Sequence, residues 1–387
     1  MRAYFTAVLV TVAILGVTVQ GQRQIYPAGE QLPFSAANKV DGLIYVAGTI
    51  SAEGDIKAQT KAVLDSMGQT LTKAGSSLSM AASVHVYLKN GGDMGGMTDV
   101  WREYWPKNAP ARTTVLSDFV VPGALIEISM IAIPTGGERV VISPAGWSTA
   151  NPYSYAIRTG DTLFLAGMVS RGVKDNQPIE GDMTTQMNAV MTNAGELLKS
   201  AGFTFDDVVA NRIYIADGSK FQEMNKAYVP HFQKNPPARA TVVVGLPGTT
   251  YGVEITMTAV RGAKQVITTP AADGTPGKPS TTLSSAIKVG NRLYLSGLLG
   301  NNASNKGDME AQTKELLARV GRTLTAGGFG FGDVADGIAY ITDIANFNAF
   351  NAGYRSVIAK DFPARATVKA GLVGPDGLVE IMFVAAK

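Results

Sequence analysis

Three arginines recur in one short motif and carry the clearest chemical signal in this sequence. Each follows Pro-Ala in an apolar tail, and the tails read NAPARTTV, NPPARATV and DFPARATV at 108–115, 235–242 and 361–368. A glutamate follows each arginine by 15 residues, giving the pairs Arg112 and Glu127, Arg239 and Glu254, and Arg365 and Glu380. A planar guanidinium holds a carboxylate through two parallel hydrogen bonds. The pairs therefore predict carboxylate-binding sites or, alternatively, structural ion pairs across a hairpin.

The rest of the composition limits which groups can take part. The sequence has no cysteine, which excludes disulfides, thiolate nucleophiles and cysteine metal sites. Its two histidines, His85 and His231, fall one each in the first and second repeats. That is too few for a histidine metal site within a repeat or for a repeated Ser-His-Asp arrangement. We expect both histidines to be structural or surface residues, and we expect no metal and no cofactor.

Charge and hydrophobicity indicate a globular chain without a nucleic-acid partner. The 387 residues carry 34 basic and 31 acidic side chains, a net charge of +3, and neither sign gathers into a run. A nucleic-acid site would need a basic stripe. With 45% hydrophobic and 17% charged residues, the chain can bury a sizeable core.

The arginines lie 127 and 126 residues apart, a domain-length period. Upstream of each is a strand whose end carries a glycine, and these glycines are Gly48, Gly167 and Gly297. Apolar residues then recur at helical spacing, and in the second copy this pattern stops at the Ala-Gly pair 201–202. A strand, a second amphipathic helix and the two strands with the arginine and the glutamate follow. The predicted order of each repeat is β-β-α-β-α-β-β.

We therefore expect an α+β fold of three tandem domains, each a mixed β-sheet with two helices on one face. The predicted domains span 22–136, 147–262 and 281–387, with linkers at 137–146 and 263–280. Two helices cover only one face of a sheet, so the other face still needs burial. We expect the three sheets to pack on one another as a closed pseudo-threefold barrel, an intramolecular pseudo-trimer.

The first 21 residues are typical of a secretory signal. One arginine precedes an apolar run, and the segment ends in Val-Gln-Gly, with short residues at the positions that a signal peptidase reads. We expect cleavage and export to the periplasm or the extracellular space. An uncleaved anchor is the alternative, because the apolar run is near the lower limit for crossing a bilayer.

The arginine strand, the spaced glutamate and the strand-ending glycine together resemble the Rid family of reactive intermediate (enamine/imine) deaminases, also described as L-PSP endoribonucleases. The resemblance covers nearly all of residues 28–387, three times over. Single-domain members are homotrimers of chorismate-mutase-like domains with ligand pockets between subunits. The resemblance implies that this chain is such a trimer fused into one polypeptide.

The resemblance also implies roles for the repeated residues. In the family, the arginine holds the carboxylate of a 2-imino acid, and the glutamate helps to place or activate the attacking water. Carboxylate binding is thereby assigned to Arg112, Arg239 and Arg365. Water handling is assigned to Glu127, Glu254 and Glu380. Because imines already hydrolyse in water, such a site need lower the barrier only modestly.

The copies depart from the family pattern unequally. The family's Pro-Tyr-Ser motif persists only in the second copy, where it includes Tyr153, whereas the first and third copies have Phe34 and Leu283 at the tyrosine position. The pocket that receives Tyr153 is therefore the best candidate for catalysis. In every copy the family's cysteine, two residues after the arginine, is replaced by a threonine that can still bind a carboxylate or water: Thr114, Thr241 and Thr367.

A weaker family pattern, Asn-x-x-Tyr, lies on the second helix. It persists at Asn225 and Asn351, to which the resemblance assigns substrate binding, and we expect Trp101 to replace the asparagine in the first copy.

Three functions remain open from the sequence. The first is hydrolysis of 2-imino or enamine acids to 2-oxo acids and ammonia. The second is an exported module that binds small carboxylates without turnover. RNA cleavage, as the older family description suggests, is disfavoured by the near-neutral charge and the lack of a repeated histidine. We expect a small carboxylate-bearing ligand, and no membrane contact after signal cleavage.

Overall fold

The computed structural model describes residues 23–29, 31–232 and 234–387. The predicted signal segment at residues 1–21 lies outside them. Among the described residues, no helix is both long enough and apolar enough to cross a membrane. The elements of the first copy are β1 (Gln24–Pro27), β2 (Ser35–Val40), β3 (Leu43–Ser51), α1 (Ile56–Lys73), β4 (Ala81–Leu88), α2 (Met94–Tyr104), β5 (Ala111–Leu116) and β6 (Ile126–Ala132).

The second and third copies repeat this order with small additions. The second has β7 (Val140–Ile142), β8 (Ala156–Thr159), β9 (Thr162–Leu165), β10 (Met168–Val169), α3 (Met183–Ser200), β11 (Val208–Ile215), α4 (Phe221–Tyr228), β12 (Ala238–Val243) and β13 (Val253–Val260). The third has β14 (Lys264–Ile267), β15 (Ala286–Val289), β16 (Arg292–Leu295), β17 (Leu298–Leu299), α5 (Met309–Gly327), β18 (Val334–Ile341), α6 (Phe347–Val357), β19 (Ala364–Lys369), β20 (Gly371–Leu372) and β21 (Val379–Ala386).

The α+β architecture is confirmed, and each copy contains the predicted order with added strands: one leading strand per copy, β10 in the second copy, and β17 and β20 in the third. Two of these leading strands, β7 and β14, lie in the segments predicted as linkers, and they pair antiparallel with β8 and β15. The predicted linkers thus contain sheet structure that joins them to the copy that follows.

Within a copy, the strands that carry the arginine and the glutamate are not neighbours. In the first copy, β4 lies between them, parallel to β5 and antiparallel to β6. The second and third copies repeat this arrangement around β11 and β18. The hypothesis of an ion pair across a hairpin is therefore wrong, because β5 and β6 do not form one.

The long helices begin and end where local chemistry dictates. An aspartate caps each start, because its carboxylate accepts a hydrogen bond from the backbone N–H three residues on; the caps are Asp55, Asp182 and Asp308. Helix α5 ends where Gly328 adopts a left-handed conformation with φ of 81°. Each helix pair buries its apolar side against its own sheet, giving one core per copy.

The sheet faces without helices are buried between the copies. A shared cluster includes one tyrosine from the central strand of each copy, Tyr87, Tyr214 and Tyr340, each at most 1% exposed. The hydroxyls of Tyr214 and Tyr340 lie 3.2 Å apart. Strand pairs also cross the boundaries, since β19 pairs with β2 and β12 pairs with β20.

A serine at the start of each copy contacts a neighbouring copy: the second copy contacts the first, the third contacts the second, and the first contacts the third. Its hydroxyl donates to a carbonyl just before the arginine strand, over 2.5 Å from Ser154 to Ala109, 2.5 Å from Ser284 to Pro236 and 2.7 Å from Ser35 to Phe362. The serine of the Pro-Tyr-Ser motif is thus a contact between copies, and it is present in all three.

We predict that Ser284→Ala destabilises the protein by about 1–3 kcal/mol, because it leaves the buried Pro236 carbonyl without its donor. Urea unfolding followed by circular dichroism measures the change. Ser280→Ala is the matched control, since Ser280 is exposed and, among the described residues, its side chain bonds only to Thr282 nearby. Equal stability of the two variants would contradict the role of this contact.

Candidate functional site

The three arginines lie at the boundaries between copies, and each is close to a glutamate of the next copy. We name the places by the copies that form them: site 1–2 has Arg112 and Glu254, site 2–3 has Arg239 and Glu380, and site 3–1 has Arg365 and Glu127. Each predicted arginine and glutamate therefore takes part in a site, but each arginine lies near the glutamate of the following copy and not near the glutamate of its own copy. None of the six is more than 5% exposed.

The threonine two residues after each arginine holds the glutamate through its backbone. The N–H of Thr114 donates to Glu254 Oε1 over 3.4 Å. The N–H groups of Thr241 and Thr367 are placed to act on Glu380 and Glu127, and they lower the pKa values of these carboxyls. Residues i and i+2 of a strand point to the same face, so each threonine side chain shares its face with the arginine. The Thr241 hydroxyl is buried and has no hydrogen-bond partner among the described residues.

A glycine opposite each glutamate leaves room for the carboxylate. A Cβ atom added at Gly167 would lie 1.8 Å from Glu254 Oε1, which is far inside contact distance. At the other two sites the corresponding distance is 1.9 Å, and the glycines there are Gly48 and Gly297. None of the three has a positive φ, so the requirement is for space and not for backbone freedom.

Burial sets the protonation of the glutamates. It raises the pKa of Glu254 to about 7 and the pKa values of Glu127 and Glu380 to about 8, against the opposing effect of the backbone N–H and of the nearby arginine. Among the described residues, no basic side chain lies within 4.0 Å of these carboxylates. Each glutamate can therefore take up and release a proton near neutral pH.

Each arginine stacks on aromatic rings and keeps an unused donor. The guanidinium carbon lies 4.9 Å from the ring centroid of Trp101 in site 1–2, 5.0 Å from that of Tyr228 in site 2–3 and 4.5 Å from that of Tyr354 in site 3–1. Burial lowers the pKa values of Arg112 and Arg365 to about 10, so both stay charged. In all three arginines Nε is buried without a hydrogen-bond partner among the described residues. A buried cationic donor of this kind fits an anionic ligand.

The prediction that Trp101 replaces the asparagine is wrong. Trp101 precedes its arginine by 11 residues, as Tyr228 and Tyr354 do, and it stacks as they do. The asparagine position belongs to Thr98. In the other two sites the asparagine side-chain oxygen accepts a hydrogen bond from the arginine, over 2.7 Å from Arg239 to Asn225 and 2.7 Å from Arg365 to Asn351.

Arg112 is held more loosely than its counterparts as a result. Its one side-chain hydrogen bond among the described residues runs from Nη1 to the sulfur of Met97, over 3.7 Å. A thioether is a weak acceptor. Its guanidinium in site 1–2 therefore keeps more of its hydrogen-bonding capacity for a ligand than the guanidinium in site 2–3.

Tyr153 lies in site 1–2, as the sequence predicted, beside a second arginine that the sequence did not reveal. Its ring centroid is 5.4 Å from the guanidinium carbon of Arg112, and its hydroxyl accepts a hydrogen bond of 2.5 Å from Arg171 Nη2. Trp101 Nε1 donates to the carbonyl of Pro152 over 2.7 Å and so fixes the segment that carries the tyrosine. At the equivalent place in site 3–1, the ring of Phe34 lies 5.7 Å from Arg365.

The residue at the tyrosine position lies between the surface groove and the buried arginine and glutamate of the site. A groove of about 630 Å³ runs beside site 1–2, and Tyr153 forms part of its wall whereas Arg112 and Glu254 do not. A groove of about 470 Å³ runs beside site 2–3 and is walled in part by Leu283. At sites 1–2 and 2–3 this position therefore lies at the edge of an open groove.

The two histidines lie away from the three sites. His85 is buried between the sheets, where burial and the charge of Arg212 lower its pKa well below the usual value. His231 packs against Phe205 beside helix α4.

Comparison with known proteins agrees with the repeat structure. The family model described as Endoribonuclease L-PSP matches residues 26–134, 145–261 and 275–387. A RutC family protein of Saccharolobus solfataricus is 34% identical over 122 residues, which is 32% of this chain and 97% of the relative. The mouse (Mus musculus) protein named 2-iminobutanoate/2-iminopropanoate deaminase is 31% identical over 124 residues, which is 32% of this chain and 92% of the relative.

A solved structure resembles more than one copy at once. The crystal structure of a chorismatase superposes with a TM-score of 0.52 at 17% identity, covering 80% of this chain and 93% of that chain. This likeness concerns the fold alone. The three family matches, which together span most of the chain, lead to one conclusion: the chain belongs to the Endoribonuclease L-PSP family, the Rid family that its motifs resemble, and carries three tandem copies of the family domain.

Proposed function

We propose that this protein hydrolyses 2-imino or enamine acids to 2-oxo acids and ammonia at the sites between its copies. One observation carries the proposal: each boundary combines a buried arginine that has a free donor with a glutamate whose pKa lies near neutrality. The mouse relative named as an imine deaminase supports the same chemistry.

The proposed reaction needs only the groups at the site. The arginine binds the substrate carboxylate and thereby fixes the C=N group beside the glutamate. The glutamate carboxylate takes a proton from water as the water oxygen forms a bond to the C=N carbon, and the electron pair of the double bond moves to nitrogen. The glutamate returns the proton to nitrogen. The hydroxyl oxygen then forms C=O as the C–N bond breaks, the hydroxyl proton goes to nitrogen, and ammonia leaves.

Site 1–2 is the strongest candidate for this reaction. It contains Tyr153, which the other two sites lack. Its Arg112 has no asparagine partner, whereas the other two arginines each donate a hydrogen bond to one. Its Glu254 has the lowest pKa of the three glutamates. A lower pKa keeps more of the carboxylate available as a base at neutral pH.

The export proposal is separate from the chemistry. We propose that residues 1–21 direct the chain out of the cytoplasm and are then removed. Fractionation of cells that express the full chain, with mass analysis of the recovered N-terminus, tests this. Recovery of the intact N-terminus from the cytoplasm would contradict it.

We predict that the protein accelerates release of 2-oxo acid when an amino acid oxidase generates imines in the assay. Arg112→Ala should remove most of this acceleration, by about 10-fold or more, because one charge-assisted pair with the carboxylate is lost. The double variant Arg239→Ala/Arg365→Ala should keep most of it. Arg158→Ala is the control, since Arg158 is only half-buried, takes part in none of the three sites and pairs with Glu138.

Two results would change the conclusion. If the wild-type protein gives no acceleration while 2-oxo acids still raise its melting temperature, the chain is a carboxylate-binding module. If Arg112→Ala behaves like Arg158→Ala, site 1–2 is not the reaction site.

We predict that Gly167→Ala inactivates site 1–2 selectively, because the added methyl group occupies the space of the Glu254 carboxylate. The variant is made in the Arg239→Ala/Arg365→Ala background, and the oxidase-coupled rate should fall to that of Glu254→Gln. Gly332→Ala is the control, since nothing lies within 4 Å of its added Cβ. Full activity of the Gly167 variant would contradict the placement of the carboxylate.

We predict that activity rises with pH as the glutamates lose their protons. In Arg239→Ala/Arg365→Ala, which keeps site 1–2, the midpoint of kcat/KM should lie near pH 7, because burial raises the pKa of Glu254 to about that value. Any rate left in Arg112→Ala should have its midpoint nearer pH 8. A pH-independent rate between pH 6 and 9 in both variants would exclude these glutamates as the base.

A further inference from the structure

Site 1–2 contains two arginines where each of the other sites has one against its glutamate. Arg171 lies four residues after Gly167, and the corresponding residues after the other two glycines are Ala52 and Asn301. Both Arg171 and Arg112 lower the pKa of Glu254, whereas one arginine acts on each of the other two glutamates. The extra cation is therefore a local feature of this boundary.

Arg171 is held in place by its backbone, which leaves its side chain available. The residue forms an antiparallel bridge with Pro178, and the side-chain amide of Asn193 donates to its carbonyl over 2.8 Å. Its guanidinium donates to the hydroxyl of Tyr153 over 2.5 Å and reaches Asn151 Oδ1 over 3.5 Å. No described carboxylate lies within 4.0 Å of it. A guanidinium has five N–H donors, so this one keeps several for a ligand.

The two guanidinium groups lie near the same aromatic ring, and they are close enough for the charge of Arg171 to lower the pKa of Arg112. The guanidinium carbon of Arg112 is 5.4 Å from the centroid of Tyr153, and that of Arg171 is 6.0 Å from the same centroid. A short diacid could therefore place one carboxylate on each group. Arg112 is buried and Arg171 is half-buried, so the second carboxylate would bind at the more exposed of the two groups.

Charge balance favours such a ligand. With Glu254 protonated or only partly ionised near neutral pH, the two arginines leave an excess of positive charge in an enclosed space. A monocarboxylate neutralises one of them and leaves the other without a counterion. A dicarboxylate neutralises both, and each guanidinium can bind its carboxylate through paired hydrogen bonds.

We infer that site 1–2 selects four- and five-carbon dicarboxylic 2-imino acids and the 2-oxo acids formed from them, with the 1-carboxylate on Arg112 and the distal carboxylate on Arg171. The inference rests on the proposed function for its reaction, but binding of the 2-oxo diacid requires no turnover. The two can therefore fail separately.

Calorimetry on Arg239→Ala/Arg365→Ala, which keeps site 1–2 alone, compares oxaloacetate and 2-oxoglutarate with pyruvate and 2-oxobutanoate. The diacids should bind about 10-fold or more tightly, since a second charge-assisted pair forms. Adding Arg171→Ala should abolish most of this ratio, and Arg171→Lys should restore part of it because the charge returns without the paired geometry. Arg158→Ala is the control and should leave the ratio as it was.

Tyr153→Phe distinguishes a direct effect of the Arg171 charge from an effect of Arg171 on the position of the tyrosine. The ring remains and only the hydroxyl that accepts from Arg171 is lost, so the preference for diacids should persist. If Tyr153→Phe abolishes the preference as fully as Arg171→Ala does, Arg171 acts through the tyrosine and the inference is wrong. Equal affinity for monoacids and diacids in the parent variant also overturns it.

The oxidase assay gives the second readout. Imines made from aspartate or glutamate should be turned over with a lower KM than imines made from alanine, and Arg171→Ala should reduce this difference. A diacid preference in calorimetry without turnover of any imine would retain the binding inference and reject the proposed reaction. Turnover of all imines with equal KM would retain the proposed reaction and reject the inference of a preference for diacids.

Discussion

The sites depend on the burial of a glutamate carboxylate against the backbone of the neighbouring copy. The carboxylate of Glu254 fits over Gly167 and accepts a hydrogen bond from the N–H of Thr114, which belongs to the preceding copy. One such bond does not offset the loss of water around a charge, so the pKa rises. The packing of two copies therefore buries the glutamate, and this burial gives the carboxyl its high proton affinity.

The fusion of three domains in one chain lets the boundaries differ. In a homotrimer every substitution appears three times, but here Tyr153, Arg171 and Trp101 each act at one boundary only. The serine contact and the glycine under the glutamate are kept at all three boundaries. The contacts that assemble the boundaries are therefore common to all three, whereas the side chains around the arginines differ.

Much of the fold could be predicted from the sequence because it is periodic. Element order, helix ends and the paired recurrence of Arg112 and Glu127 follow from residues that are near one another or repeated. The partner of each arginine could not be predicted, because β4 separates the two strands within a copy and only the packing of copies brings Glu254 to Arg112. Arg171 was missed for a related reason, since it breaks the repeat.

The spacing of the repeat itself assigns Trp101 to the tyrosine position of the second helix and not to the asparagine position. Counting back from the arginine places Trp101 with Tyr228, and an indole provides the same flat face for a guanidinium as a phenol ring does. What the first copy loses is the asparagine oxygen, and with it the strongest competitor for the donors of Arg112. The departure from the family pattern therefore leaves Arg112 without an asparagine partner at the same boundary as Tyr153 and the second cation.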